Sequence, residues 1–286
     1  MNGWRFALQR RWFGYLGAAI IFAIACILLS MWQVGRRDEA VDAINLINRN
    51  YDSQTQPIDD VLKTPTAFSP SQTWKPVLVT GTYLVDRQLL VRNRPYNGDA
   101  GFEILTPLQR ADGSIFIVDR GWVVGGAEQD LPDTVPTPPS GTVSVVVHLK
   151  PGEPNLPGRS APAGQVATIN LPTVAGKLDA TTYTGAYGLL ITETPAAAGQ
   201  MPSPAVKPEL DEGPHLSYAI QWVVFAVFGF FGLGYALRTE YRIRNADDPE
   251  ERERARERDR KAREKSERAP SDSEVEDAMI ESAARR

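Results

Sequence analysis

Cysteine and histidine are nearly missing from this chain. The single cysteine, Cys26, cannot form an intrachain disulfide or a CxxC redox or metal motif. The only two histidines, His148 and His215, exclude a multi-histidine metal site. There is no GxSxG elbow, and Cys26 lies inside an apolar run, so no nucleophile–base arrangement for enzymatic chemistry is legible. A basic stripe is also lacking: the formal net charge is −4, and nothing points to a nucleic-acid partner.

Charge is absent locally as well. From Phe13 to Trp32 the chain reads FGYLGAAIIFAIACILLSMW, and from Leu216 to Leu237 LSYAIQWVVFAVFGFFGLGYAL, with no Asp, Glu, Lys, Arg or His in either run. At 1.5 Å per residue a run of 20 spans about 30 Å, the thickness of a bilayer's hydrocarbon layer. A soluble chain of 286 residues has too little core to bury two such helices, so the runs predict transmembrane spans over 13–33 and 215–237. A cleavable signal peptide is the competing reading of the first, because Ala23-Ile24-Ala25-Cys26 is akin to a lipoprotein cleavage box. The run continues apolar through Ile27-Leu28-Leu29 and ends on Trp32, an interfacial anchor, which favours an uncleaved helix.

The basic flanks set the expected orientation. Arg5, Arg10 and Arg11 precede the first span, and Arg238, Arg242 and Arg244 follow the second. Residues 1–12 and 238–286 are therefore expected in the cytoplasm, and 34–214 outside it, with the protein resident in the cell membrane among its lipids. Arg36 and Arg37 weaken that asymmetry without reversing it.

The central segment changes pattern. Ala40, Ala43, Ile44 and Ile47 keep helical spacing, predicting that the first helix continues as an amphipathic stalk. Short strands are then predicted at 76–84, 88–93, 102–109, 114–123, 142–149, 165–169 and 187–192, separated by Gly, Pro, Asn and Asp. Leu84–Arg87 and Ala111–Ser114 read as hairpin turns, the second through its Asp-Gly pair. Strands joined so closely predict an antiparallel β-rich domain, a small barrel or sandwich. A short helix is expected at 172–178, and Pro-rich surface loops at 131–140, 151–162 and 195–208, the last two mobile. The tail from Asp247 to Arg268 alternates Glu and Arg, predicting disorder or a solvated helix laced by i,i+4 ion pairs.

Few side chains stand out as functional. His215 opens the second span, with Tyr218 and Trp222 at i+3 and i+7 on one face; a neutral imidazole there can ligate haem iron, or serve as an ordinary interfacial side chain. Gln221 and the glycines 14, 17, 229, 232 and 234 suggest helix–helix contact. Asp119-Arg120-Gly121-Trp122 closes the most apolar strand; Asp119 and Arg120 read as a structural ion pair, or Arg120 with Trp122 as part of a docking surface. His148, within VVVHLK, reads as one face of a strand.

Several of these motifs, in order, resemble the Surfeit-locus-one family of cytochrome c oxidase assembly proteins. They are Met31-Trp32-Gln33 with Arg36-Arg37; Gly81-Thr82-Tyr83; Ile104–Leu108, Asp112-Gly113 and Val118–Val123; and His215–Trp222. Gly213-Pro214 stands where the family commonly has Asn-Asn, and the charged tail lies outside the resemblance. The resemblance implies a non-enzymatic factor that helps insert or retain haem a, transiently bound, in the catalytic subunit of the oxidase. It implies His215 as haem ligand with Tyr218 and Trp222 beside it. Interaction residues would be Trp32, Gln33, Arg36, Arg37, Asp119, Arg120 and Trp122; position alone suggests Arg36 and Arg37 near the haem propionates. Two other readings stay open: a scaffold or accessory subunit of the oxidase that never touches haem, and an exported sensor domain reporting to the tail.

Overall fold

Nothing in the sequence interrupts a helix between Arg10 and Asn50, and those residues form a single 41-residue helix, α1. The computed structural model describes residues 3–127 and 131–267. These residues divide into two units, one made of the residues up to Arg37 and from Pro214, the other of Asp38–Gly213. The predicted stalk is thus the continuation of α1 into the second unit.

In the first unit α1 packs antiparallel against α4 (His215–Arg244). Small residues make the approach close: Cys26, 1% exposed, and Ala23 meet Ala226, with Trp222 alongside. A Cβ on Gly229 would stand 3.1 Å from the Phe22 ring, so that glycine serves the packing, whereas Gly14, Gly17, Gly232 and Gly234 face open space. The Ser30 hydroxyl donates to the Ala219 carbonyl at 3.0 Å. Toward the other end Arg11 pairs with Glu240, Glu240 also accepts from Arg244 at 2.7 Å, and Trp4 stacks on Tyr241 at 4.5 Å. The remaining faces are apolar and uncovered: Ile21 and Phe231 are each 70% exposed.

A third helix, α5 (Pro249–Glu267), carries proline at its first turn and Glu250 and Glu251 where the helix dipole favours acids. Arg254–Glu250, Lys261–Glu257 and Arg260–Glu264 pair at i,i+4, so the described tail is the solvated helix of the two expected forms. Residues 268–286 of the expected tail lie outside the described residues.

The second unit contains β1 (Gln56–Pro57), α2 (Ile58–Val61), β2 (Pro76–Tyr83), β3 (Leu89–Tyr96), β4 (Asp99–Gln109), β5 (Ile115–Val124), β6 (Thr142–Lys150), β7 (Gln165–Val166), α3 (Leu171–Ala175) and β8 (Tyr187–Thr194). Strands β2, β6, β8, β5 and β4 follow one another, and β2 pairs with β4 at Thr82↔Gln109 and Tyr83↔Leu108. That contact closes a five-stranded barrel. The inward positions are filled by Val77, Val79, Val143, Val145, Val147, Leu108, Phe116 and Val118. On the outside, β3, β7 and α3 cover β4 and β5 and bury Leu105, Ile115 and Ile117. Strand β5 is therefore buried on both faces over most of its length, which is why its first four residues, Ile115–Val118, are apolar without alternation.

Two expectations need correction. The sheet is mixed, since β1–β2, β3–β7 and β5–β8 run parallel. Alternation reports which face is buried and says nothing of strand direction, and β8 arrives between β6 and β5 by a long crossover. Leu84–Arg87 is not a hairpin either: β2 and β3 each pair with β4, and Val85–Arg87 is a single 3₁₀ turn between them. A true two-residue hairpin lies instead at Asn97-Gly98, where φ is +51° and +92°, as a primed turn requires. The Asp112-Gly113 turn forms as expected, with Asp112 accepting from the Ser114 amide and hydroxyl. Asn170 caps the short helix by accepting from the Thr173 amide.

Nor do the proline-rich loops run free. In 195–208, Ser203 exchanges two backbone hydrogen bonds with Trp122, and Lys207 pairs with Asp52. In 151–162, Glu153 takes a 2.5 Å bond from Arg94 and another from the Ile169 amide.

Candidate functional site at the paired helix ends

The antiparallel pair α1/α4 behaves as a ladder. Phe22 meets Gly229, Cys26 meets Ala226 and Trp222, and Ser30 meets Ala219. One turn further along, Gln33 meets His215: imidazole Nδ1 lies 2.9 Å from Gln33 Oε1. Pro214 is the N-cap of α4, its carbonyl accepting the first helical hydrogen bond from the Tyr218 amide at 3.1 Å, so α4 starts at His215, at the last rung. His215 Nε2 makes no hydrogen bond to any described residue.

The other residues singled out at this end fare unequally. Trp32 and Tyr218 are 58% and 48% exposed, so aromatic surface stands open near the histidine. Trp222 is turned into the helix contact at Cys26 and meets Phe225 edge-on at 5.8 Å. It is packing between helices, not part of an open face with Tyr218. Arg36 and Arg37 follow Gln33 by three and four residues, which places them on its side of α1. Gln221 points outward, exposed.

The Asp119-Arg120 expectation is overturned by strand geometry. Adjacent residues on a strand face opposite ways, so the two cannot pair with each other. Arg120 enters the barrel and is 1% exposed. Its guanidinium donates to the Pro136 carbonyl at 2.8 Å, stands 3.5 Å from Glu193 and lies over the Tyr83 ring. Tyr83 donates to Glu193 at 3.1 Å; burial, followed by the Glu193 charge, pushes its phenol upward. Arg120 is thus an internal strut and cannot contribute to a docking surface. Of the motif only Trp122 reaches the surface, half-buried, stacked on Tyr96 at 5.0 Å and donating to the Arg94 carbonyl.

Asp119 faces the covered outer side, where it is also buried. Burial first, and then the Glu103 charge, raise its carboxyl well above the usual range. Glu103 is raised by burial despite Arg94 at 2.9 Å, while Glu153 is lowered because Arg94 and the Ile169 amide outweigh its burial. His148 is a clasp: its Nε2 is 2.8 Å from the Tyr51 carbonyl and its ring 3.9 Å from the Tyr51 ring. Burial depresses this imidazole. Among the described residues no cluster of three His, Cys, Asp or Glu is arranged to hold a metal ion.

Glu193, Arg94 and Glu153, and the partners of Tyr83, were invisible in the sequence, because ring closure brings together strands distant in the chain. The pairing of Gln33 with His215 is likewise not written in the sequence, because it depends on the register of two separate helices.

Residues 20–227 match the model of the SURF1 family. An uncharacterised SURF1-like protein of Mycobacterium tuberculosis is 32% identical over 247 residues, which cover 85% of this chain and 89% of that protein. One from Mycobacterium bovis matches to the same extent, 32% over 247 residues. The cytochrome oxidase assembly protein SHY1 of Saccharomyces cerevisiae is 27% identical over 124 residues, 42% of this chain and 30% of its own.

Proposed function

The chain belongs to the SURF1 family, the Surfeit-locus-one proteins, and on that premise we propose that it is a membrane-anchored, non-enzymatic assembly factor for haem–copper cytochrome c oxidase. In this reading it presents or retains haem a for the catalytic subunit through His215. The observation that carries the reading is the imidazole at the start of α4, whose Nδ1 is engaged by Gln33 while Nε2 is left without a hydrogen bond among the described residues.

The membrane part rests on α1 and α4. Both are long enough to cross a hydrocarbon layer, and their faces away from each other expose large apolar side chains such as Leu28, Phe228 and Phe231. Water would oppose that exposure; lipid would not. The arginines flanking both helices favour cytoplasmic termini and an exported barrel, which would be the part that meets the oxidase.

The donor set suits the group. Haem supplies an iron whose axial position accepts a neutral imidazole nitrogen. His215 would provide that nitrogen, Trp32 and Tyr218 an aromatic border, and Arg36 and Arg37 guanidinium groups for the propionates.

The test is to purify the protein from cells that make haem a, beside His215→Ala, and record absorption spectra and co-purifying oxidase subunits. A Soret band in the wild type that is lost in the variant is the expected result. If neither preparation carries haem, the carrier role fails. Oxidase subunits retained by both would then favour the scaffold reading.

A further inference from the structure

Gln33 lies on α1, and the rung it forms is one of several that join the two helices. One turn away the Ser30 hydroxyl already ties α1 to the Ala219 carbonyl, and Cys26, Ala23, Ala226 and Trp222 supply the apolar contact. What the Gln33 contact does set is the proton on His215. A neutral imidazole carries one proton, on either nitrogen, and free histidine side chains in water favour Nε2. The group 2.9 Å from Nδ1 is a side-chain carbonyl oxygen, which has lone pairs and no hydrogen. Nδ1 must donate to it. The lone pair then resides on Nε2, across the ring from Gln33, where no described residue takes it.

The choice of an amide is informative. A carboxylate at this position would also accept from Nδ1, but its charge would stabilise the imidazolium, which has no lone pair to give. A neutral acceptor orders the ring and selects the tautomer while leaving the side chain uncharged.

We propose that Gln33 is a positioning residue for His215, holding the imidazole as the Nδ1–H tautomer with Nε2 directed outward as a metal-ligating nitrogen. The tautomer stands on the hydrogen bond alone; the use made of Nε2 rests on the haem reading above. In metal sites generally, the group that accepts the far N–H of a histidine ligand fixes its orientation and raises its basicity, and removing it typically costs about 10–100-fold in affinity.

The experiment uses the full chain in detergent micelles, labelled with ¹⁵N-histidine, without haem, at about pH 8.5 where imidazoles are neutral. His215→Ala identifies the His215 resonances against those of His148. His215 is expected as Nδ1–H in the wild type and in Gln33→Glu, and to move to Nε2–H in Gln33→Met, which keeps the side-chain length but accepts poorly. Ferric haemin is then titrated in, following the Soret band. Gln33→Met is expected to weaken His215-dependent binding about ten-fold or more, and Gln33→Glu to restore most of it. A wild-type His215 protonated on Nε2 overturns the proposal, as does a Gln33→Met protein that keeps both the wild-type tautomer and the wild-type haemin affinity. A wild type with the expected tautomer pattern but no His215-dependent Soret change defeats the haem reading and leaves the positioning by Gln33 supported.

Discussion

Arg120 inside the barrel offers the sharpest test of how this domain holds together. Its side chain is 0% exposed and that of its partner Glu193 1%. Arg120→Met preserves the stem and removes the guanidinium, leaving the Glu193 carboxylate with the Tyr83 hydroxyl and no cation. Removing one member of a buried pair costs about 3–5 kcal/mol, because the remaining charge is uncompensated in a low dielectric. Domains are stable by about 5–15 kcal/mol, so about a fifth or more of the total is at stake. In a unit of this size each kcal/mol lowers Tm by about 2–4 °C, which puts the expected fall at roughly 6–20 °C. Thermal unfolding of the purified chain, followed through Trp74 and Trp122 fluorescence, reads the effect. The paired replacement Arg120→Met with Glu193→Leu removes both charges and is expected to recover most of the loss, since an apolar substitute for a whole buried pair is often neutral or better. A single variant within about 1 kcal/mol of wild type, or a double variant worse than the single, would refute this account of the barrel interior.

Gly121 has φ +120°, and a Cβ there would stand 2.4 Å from the Ser203 carbonyl oxygen. Gly121→Ala is expected to cost about 1–3 kcal/mol and to expose the 195–208 loop to limited proteolysis, while Gly98→Ala, with open space around it, shows the smaller cost of a positive φ alone. Asp119 is raised well above its ordinary value of 3.8, so the folded state keeps a proton that the unfolded chain releases. Its contribution to stability is complete below pH 3.8 and is lost as pH rises from there through the folded value. Asp119→Asn, which keeps an acceptor for the Gly121 amide, is expected to flatten that decline in urea unfolding measured from about pH 4 to 8; a variant with the wild-type slope would contradict it.

The two long helices and the strand positions were readable because each rests on a local pattern. Charge-free runs give the helices, and β-branched runs broken by Gly, Pro and Asp give the strands. Strand direction and neighbour order were not, since pairs such as Val118↔Gly188 join residues with no pattern in common. The same limit applied at the candidate site. His215 announced itself by its position, but its contact with Gln33 depends on helix register. The DRGW motif misled for a related reason: a charged pair beside a tryptophan reads as an ion pair or a surface, whereas Arg120 turns into the barrel toward Glu193 and Asp119 lies on the covered outer side. Asn97-Gly98 carries the local signature of a primed turn, although Pro95 beside it argues against a strand interior.

Barrel closure by β8 has a consequence for how the chain acquires its shape. Strand β8 is the last of the eight, yet it lies between β6 and β5 in the ring. Until Tyr187–Thr194 is threaded into that gap, both neighbours present bare rows of amides and carbonyls. The contacts that complete the ring are therefore among its most distant in sequence, which makes for a slow search and a long interval of exposed edges. A chain cut short after β7 would not fold into a smaller barrel. It would keep two sticky borders facing each other across an empty slot, open to pairing with its own kind.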